Sequence, residues 1–423
     1  MTTLYLKLGL ALGSSALFGA VYLLRQRLER MAARPADRVL FGLFIACRLV
    51  PFLTVYLVLN QEPRSDVPHF YEAARMALQG KIVYRDFWSP YGPLFAYVTA
   101  LPLLVWHSAK AVVLLMVLVE GLAWWLTYRF FRQQRGPETQ AIAALYLLLP
   151  APLAFCVLGG QEDSWMWAVG AVSLFVWQQK PDAYRLGLLM AVMLIVTKAL
   201  ALLIIVPLLC WVNRPVRYVA GLLTIGIPGL ILLYALTGTG VLTALMFADM
   251  VFAPNVWTLL APVIGDFMPY AKTLSIVGLL LVVTVACLTA WTLRRQRVSY
   301  DQSLPLIWVI CFGAMMVVHK SSFANYGFIY MLPLVFGVIT WSDRRQVLIL
   351  MLVNALLTVQ PTYWWGLGTP LYTNWSMLGQ PAYLLEYGLE AGIIAGVCYW
   401  VWLAYRAVRP AAVPLNKQQH VTA

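Results

Sequence analysis

The sequence predicts an all-α protein that crosses a membrane many times, and three observations support this fold class. Of the 423 residues, 62% are hydrophobic and only 11% are charged, whereas about 25% are charged in ordinary soluble domains. Mean hydropathy is +0.77. Apolar runs recur along the whole chain, and about 20 apolar residues can cross about 30 Å of hydrocarbon, so we expect about 13 transmembrane helices. A membrane β-barrel would instead show short segments of alternating polarity.

The basic residues indicate how these helices are oriented. The formal net charge of +13 could suggest a nucleic-acid partner, but most Lys and Arg residues fall in short clusters between apolar runs. Placing all of these clusters on the cytoplasmic side satisfies the positive-inside rule. We therefore expect the lipid bilayer as a partner, and no nucleic acid. The clusters span residues 25–38, 129–135, 180–185, 214–217, 294–297, 344–345 and 406–417.

The first part of the chain, residues 1–38, is predicted to hold one transmembrane helix, 3–24, and a basic cytoplasmic turn. A second crossing at 39–59 leads to an external loop over 60–93, which bears acidic, basic and aromatic side chains and is expected to be structured. The apolar stretch 94–106 is shorter than the roughly 20 residues that a span requires. We expect this stretch to return to the surface or to lie along it.

The later crossings follow from apolar runs and their basic anchors. Basic residues flank 185–212 on both sides and Lys198 lies in its middle, so this stretch is read as two helices that meet near Lys198. The stretch 303–341 is read in the same way, with His319 and Lys320 at its external apex. The other crossings expected in the central part, 39–341, are 109–128, 138–158, 164–178, 216–236 and 272–293, and those in the C-terminal part, 342–423, are 345–360 and 383–405.

Two further external loops are expected, before a basic cytoplasmic tail. One spans 237–271 and carries Asp249 and Asp266, and the other spans 361–382 and is rich in aromatic residues, Gly and Pro. Some aromatic side chains of the second loop could stack on sugar rings. Most tryptophans near helix ends are expected to form an interfacial belt. Trp165, Trp167, Trp364 and Trp365 are examples.

Most ionisable residues that do not anchor the topology fall at the predicted external ends of helices. Such groups are costly at a membrane edge, so their collection on one side is a hypothesis of function. Polar loops alone explain Asp249 and Asp266 well, but they do not explain Lys198, which lies between apolar stretches. The residues that share the external face are Asp66, Asp86, Glu162, Asp163, Lys198, His319 and Lys320.

Asp66 follows the second crossing closely and has two compatible interpretations. The run Asp66-Val67-Pro68, followed by His69 to Leu78, is typical of a helix N-cap with proline in the first turn. A carboxylate at this place could also remove a proton from an acceptor hydroxyl. If the protein uses a metal ion, Asp66 is one of its candidate ligands.

Four other residues also have a chemical and a structural interpretation. Glu162 and Asp163 lie in a tight turn and could bind a divalent cation such as Mg²⁺ or Mn²⁺, hold a sugar hydroxyl, or cap the next helix. Lys198 and Lys320 could contact a phosphate as point charges. Alternatively, their long side chains could extend to the membrane interface.

Two other ionisable residues are expected to have local partners. His319 could serve as a general base or a metal ligand, but a lone His beside a Lys more often forms a local hydrogen bond. Arg48 lies within an apolar helix and needs an acidic partner, for which Glu120 and Glu390 are the candidates. We expect that ion pair to be structural.

The first external loop contains a run of motifs: Asp66, Tyr71, Ala73-Ala74, Gly80, Tyr84-Arg85-Asp86-Phe87 and Tyr91-Gly92-Pro93-Leu94. This run resembles the first external loop of the GT-C fold glycosyltransferases, which include bacterial polyprenol-phosphate-sugar transferases and the mannosyltransferase of GPI-anchor assembly. A Lys between two short helices, here Thr197-Lys198-Ala199, resembles a later signature of the family. The chain departs from the family where Asp66 replaces a paired Asp motif, where Tyr-Gly-Pro replaces Tyr-Pro-Pro, and where no Pro follows Lys198.

The resemblance implies a GT-C fold and an inverting glycosyltransferase. Such an enzyme would act at the external face of a bacterial inner membrane, moving a sugar from a polyprenyl-phosphate donor to a hydroxyl of a lipid or glycan acceptor. Asp66 would be the catalytic base. The residues expected to contact the donor phosphate or the substrate are Arg85, Asp86, Tyr91, Glu162, Asp163, Lys198, His319, Lys320 and Tyr326.

Two other functions stay open. A transporter or flippase of a lipid-linked sugar would carry ionisable residues at mid-bilayer and broken helices in repeated halves, whereas most polar groups here lie at one face. A non-catalytic subunit of envelope polysaccharide assembly would keep the fold but tolerate the loss of Asp66.

Overall fold

Every regular element in the described part of the chain is helical. The structure is a computed structural model that describes residues 2–240 and 250–408, and extended pairing within them is confined to two isolated bridges. In chain order the helices are α1 (Thr2–Glu29), α2 (Ala33–Val58), α3 (Val67–Leu78), α4 (Phe95–Leu104), α5 (Ala109–Arg135), α6 (Glu138–Leu147), α7 (Pro150–Leu158), α8 (Ser164–Gln179), α9 (Ala183–Val196), α10 (Ala199–Trp211), α11 (Pro215–Thr237), α12 (Val256–Ile264), α13 (Ala271–Arg295), α14 (Tyr300–Val318), α15 (Ala324–Val338), α16 (Arg344–Gly366) and α17 (Pro381–Val408).

Eight of these helices, in the described residues, are long and apolar enough to cross a membrane. They are α1, α2, α5, α11, α13, α14, α16 and α17, and the pair α6 and α7, bent by 50°, would make a ninth span. The expectation of an all-α polytopic membrane protein is therefore confirmed. The figure of about 13 crossings stays a prediction, because α8 has 16 residues and α9, α10 and α15 have 10–17.

Both predicted helix breaks lie where the sequence places them. Helix α9 ends at Val196 and α10 begins at Ala199, so Lys198 lies in the break between them. Helix α14 ends at Val318 and α15 begins at Ala324, which leaves His319 and Lys320 in the second break. A polar residue between two apolar helices is the signal that located both breaks.

Arg48 pairs with Glu120 inside the helical bundle. The Nε atom of Arg48 lies 2.7 Å from Oε2 of Glu120, and Nη2 lies 2.9 Å from Oε1. A further donor of Arg48 binds the Leu147 carbonyl, and the Tyr146 hydroxyl donates to Glu120. The pair thus joins α2, α5 and α6, as expected of a structural ion pair, and the other candidate, Glu390, has different partners.

Helices α9 and α11 approach each other closely through two glycines. A Cβ built on Gly187 would lie 2.1 Å from the carbonyl oxygen of Tyr218, and one built on Gly221 would lie 2.1 Å from that of Tyr184. Small residues at crossing points let membrane helices pack backbone to backbone. This contact attaches α11, most of whose side chains are exposed, to the helix that ends at the Lys198 break.

Three of the four tryptophans expected at the membrane interface are buried. The interfacial-belt prediction is wrong for Trp165, Trp167 and Trp364, which are buried within the protein, whereas Trp365 is 56% exposed. The three buried indoles pack inside the protein instead of facing lipid headgroups. Asp249 and the basic residues from 409 onward lie outside the described residues.

Candidate functional site

The first loop, residues 60–94, is attached to the break between α9 and α10. The N–H of Gly92 donates to the Thr197 carbonyl at 2.7 Å, and the N–H of Leu94 donates to the Ile195 carbonyl at 2.9 Å. A Cβ at Gly92 would lie 2.5 Å from the Ile195 oxygen, so only glycine allows this approach. A proline, which has no N–H, could not make the bond to Thr197, and this explains the Tyr-Gly-Pro sequence here.

A layer of aromatic side chains packs next to this attachment. Phe95 stacks on Tyr91 with ring centroids 4.3 Å apart, and it meets Phe70 edge-on at 5.1 Å. Trp165 of α8 lies 5.5 Å from Phe95. Aromatic pairs of this geometry add to the stabilisation from burial, so the start of α3 and the end of the first loop are held on α8.

The acidic turn, residues 159–163, packs tightly against the start of α3. Gly160 has a φ of +58°, and a Cβ there would lie 2.3 Å from Cγ2 of Val67. A glycine is needed both for the left-handed backbone and for the close contact. The turn therefore brings Gln161 next to Asp66.

Asp66 lies at the N-terminus of α3, but its side chain makes no capping hydrogen bond. Instead, Oδ2 accepts a hydrogen bond of 2.9 Å from Nε2 of Gln161, which also donates to Ser65 Oγ at 3.1 Å. Nδ2 of Asn325 donates to Oε1 of Gln161 at 2.6 Å and so holds its amide in this orientation. The capping interpretation of the Asp66 side chain is thus wrong. Gln161 binds the carboxylate, and Asn325 in the first turn of α15 binds Gln161.

Lys198 binds both carboxylates of the acidic turn. Its Nζ lies 2.7 Å from Oε1 of Glu162 and also contacts Oδ1 of Asp163. The ammonium lies 5.9 Å from the ring centroid of Tyr91 and 5.4 Å from that of Tyr326. We call Asp66, Gln161, Glu162, Asp163, Lys198 and Asn325 the polar cluster.

The polar cluster contains more negative than positive charge. Glu162 and Asp163 are almost fully buried, and Oε2 of Glu162 and Oδ2 of Asp163 accept no hydrogen bond from the described residues. Burial, with Glu162 close by, raises the pKa of Asp163 to about 7 although Lys198 opposes the shift. Burial alone would lower the pKa of Lys198, but the two carboxylates raise it above its usual value. The lysine therefore stays charged, and it is the one cation beside the three carboxylates of the polar cluster.

Arg85 and Asp86 form an exposed ion pair that shapes its own turn. Nε of Arg85 lies 2.9 Å from Oδ1 of Asp86, whose Oδ2 accepts from the Ile82 N–H at 2.7 Å. The bonds from Arg85 and from the Ile82 backbone lower the pKa of Asp86 to about 2. These contacts explain the positions of both side chains, and no contact with a substrate is needed for that.

Lys320 contacts the segment that precedes α12, and His319 makes a local hydrogen bond. Lys320 is 1% exposed and its Nζ donates to the Met250 carbonyl at 3.1 Å. Nδ1 of His319 accepts from the Ser321 N–H at 3.3 Å, which is the local bond expected of it. Burial and then the Lys320 charge lower the pKa of His319 to about 4, so the imidazole is neutral at pH 7.

Gln161 and Asn325 are the members of the polar cluster that the sequence did not single out. Both are uncharged, and so they escape a search for ionisable residues. Each is separated by a long stretch of chain from the residue it binds: 95 positions from Gln161 to Asp66, and 164 from Asn325 to Gln161. The available signal was their position, since Gln161 lies in a predicted turn beside Glu162 and Asn325 is adjacent to Tyr326.

Asp66, Glu162 and Asp163, the candidate metal ligands from the sequence, do not form a group that could hold a metal ion with three ionisable ligands. No group of three or more His, Cys, Asp or Glu side chains in the described part of the chain is placed to hold one. Glu162 and Asp163, which the sequence suggested as cation ligands, have two carboxylate oxygens without a hydrogen bond from the described residues. Lys198 already binds the other oxygen of each.

The structure brings most of the predicted site residues to one place, and it gives the others separate contacts. Those in or around the polar cluster are Asp66, Tyr91, Glu162, Asp163, Lys198 and Tyr326. Those with contacts of their own are Arg85, Asp86, His319 and Lys320. Neither a protein-family model nor a curated protein matches this chain, so a functional assignment depends on this geometry.

Proposed function

We propose that the protein is an inverting glycosyltransferase of the GT-C type. It would transfer a sugar from a polyprenyl-phosphate donor to a hydroxyl of a lipid or glycan acceptor. The observation that most supports the proposal is that Asp66, a carboxylate, and Lys198, an ammonium, belong to one cluster, linked by the acidic turn. The transfer needs both groups: a base for the acceptor, and a positive charge for the departing phosphate.

Asp66 is suited to act as the base. Gln161 holds Oδ2, whereas Oδ1 accepts no hydrogen bond from the described residues and the side chain is partly exposed. One oxygen is therefore fixed while the other can accept a proton from an acceptor hydroxyl. A carboxylate held in one orientation loses less freedom when the acceptor binds.

Lys198 is suited to stabilise the leaving group. An ammonium has three N–H donors, of which Glu162 and Asp163 take two. The third is left to donate to a phosphate oxygen. A hydrogen bond from this ammonium favours the state in which negative charge develops on the phosphate.

The reaction is a single displacement at the anomeric carbon. The acceptor oxygen forms a bond to that carbon from the face opposite the phosphate, and its proton passes to Asp66. The bond from the anomeric carbon to the phosphate oxygen breaks, and its electron pair leaves with the polyprenyl phosphate beside Lys198. Attack from the opposite face inverts the anomeric configuration.

We also propose how the protein and its site are oriented in the membrane. We propose about 13 crossings of a bacterial inner membrane, in which short helices such as α9 and α10 span together with longer neighbours. Basic clusters would face the cytoplasm. The polar cluster would then face the periplasm, where polyprenyl-linked sugars are used.

A comparison of membrane glycolipids tests the proposal. Cells that lack the gene should accumulate a lipid one sugar shorter than the wild-type product, and the wild-type gene should restore the product. Asp66→Asn should not restore it, while Glu72→Gln, an exposed carboxylate on the same helix that pairs with Arg75, should. Identical glycolipids with and without the gene would contradict the proposal. Restoration by Asp66→Asn would contradict the catalytic role of Asp66.

A further inference from the structure

A second pair of buried carboxylates lies outside the polar cluster. Glu386 and Glu390 are one turn apart on α17 and both are 0% exposed, so their side chains are neighbours on one face of the helix. Burying two such groups together is costly unless something compensates their charge. The function proposed above does not use them.

The pair is surrounded by neutral oxygen and nitrogen groups from three other segments. Nε2 of Gln360, on α16, donates to Oε1 of Glu386 at 2.9 Å, and the hydroxyl of Tyr372 donates to Oε2 at 2.7 Å. Oγ1 of Thr258, on α12, lies 2.8 Å from Oε2 of Glu390. Helix α12, the segment 367–380 and the adjoining ends of α16 and α17 therefore meet at these two carboxylates.

The hydrogen bonds do not satisfy the oxygens of this site. Thr258 has one hydroxyl proton, and its Oγ1 lies 2.9 Å from the Asn255 carbonyl as well as facing Glu390. Oε1 of Glu390 and Oε1 of Gln360 are buried and accept no hydrogen bond from the described residues. Two buried oxygens thus lack a donor beside a pair of carboxylates.

Among the described residues, none of the side chains that hydrogen-bond to Glu386 or Glu390 is cationic. The partners of Glu386 and Glu390 are an amide, a phenol and a threonine hydroxyl. The other buried carboxylates differ in this respect, because Glu120 binds Arg48 and the acidic turn binds Lys198. Either a bound cation or a proton shared by the two carboxyl groups would compensate the charge at this place.

We propose that Glu386 and Glu390, with Gln360, Tyr372 and Thr258, form a binding site for a hard divalent cation of the Ca²⁺ or Mg²⁺ class. All available ligand atoms are oxygens, the ligand type that these ions prefer, and a divalent ion matches two carboxylates. The ion would hold α12 and the segment 367–380 against α16 and α17. This site is separate from the polar cluster, and the inference does not depend on the proposed glycosyl transfer.

Binding of Mn²⁺ to the purified full chain in detergent tests the proposal directly. The protein is first treated with a chelator to remove any bound ion. Mn²⁺ is then added in place of the native ion, and its electron paramagnetic resonance signal reports the concentration of free Mn²⁺. We expect one saturable site that Ca²⁺ or Mg²⁺ competes for, and a rise in the unfolding temperature when it fills. Glu162→Gln and Glu72→Gln should retain this site, because they alter other carboxylates.

Glu386→Gln combined with Glu390→Gln should abolish the site, and Glu390→Gln alone should weaken it by about tenfold or more. The single variant keeps the measurement informative if the double variant does not fold. Absence of a Mn²⁺ site in the wild-type protein would overturn the proposal, as would unchanged affinity in Glu390→Gln. An infrared band of a protonated carboxylic acid that disappears in Glu390→Gln, without Mn²⁺ binding, would show that the pair holds a proton instead.

Discussion

Replacing Gly92 by alanine should detach the first loop from the break between α9 and α10. The added Cβ would lie 2.5 Å from the carbonyl oxygen of Ile195 and 2.6 Å from that of Leu194, and these backbone atoms cannot rotate away. Accommodating such an overlap costs about 1–3 kcal/mol. Moving the loop instead weakens its bonds to Thr197 and Ile195, each worth about 1 kcal/mol. We expect the free energy of unfolding to fall by about 2–4 kcal/mol.

Denaturant unfolding in detergent, combined with amide hydrogen exchange over residues 91–95, measures this effect. The amides of Gly92 and Leu94 should exchange faster in Gly92→Ala than in the wild type. Gly42→Ala is the matched control, because Gly42 is exposed on α2 with nothing within 4 Å of its Cβ position, and it should not lower the stability. Wild-type stability together with unchanged exchange in Gly92→Ala would refute the proposed attachment.

Three further predictions concern other parts of the structure. Arg48→Leu leaves Glu120 buried without its partner and should lower the free energy of unfolding by about 3–5 kcal/mol, part of which Glu120→Gln should restore in the double variant. Gln161→Leu removes the hydrogen bond to the Asp66 carboxylate, worth about 1.5–3 kcal/mol, and should lower kcat for transfer more than it changes KM. His319 has a lowered pKa, so below its usual value of 6.5 the unfolded chain binds a proton that the folded chain does not. Stability should therefore fall as the pH drops from 6.5 towards about 4, and it should fall less in His319→Asn, as read from unfolding midpoints.

The sequence predicts the helices and their breaks well, because these depend on local patterns. Apolar runs locate the long spans, and a single polar residue between apolar stretches locates the break at Lys198. The need of Arg48 for an acidic partner left Glu120 and Glu390 as the candidates, and the structure pairs it with Glu120. In each case a nearby pattern or a strong energetic requirement leaves few alternatives.

The contacts within the site could not be read from local patterns. Asp66 looks like a helix cap, and only the position of Gln161, brought close by the folded acidic turn, shows where its side chain is directed. Lys198 looks like a free phosphate ligand, but it binds Glu162 and Asp163, which lie 36 and 35 positions away. Such pairings depend on which helix ends meet, and hydrophobic periodicity does not specify this.

The most direct test of the account is sugar transfer by the purified protein in reconstituted vesicles. A lipid extract from cells lacking the gene supplies donor and acceptor, and the product is the glycolipid with one more sugar. The account predicts transfer by the wild type and by Glu72→Gln, and a rate lowered by about 100-fold or more in Asp66→Asn, with wild-type folding of that variant. Transfer by Asp66→Asn at the wild-type rate would contradict the account.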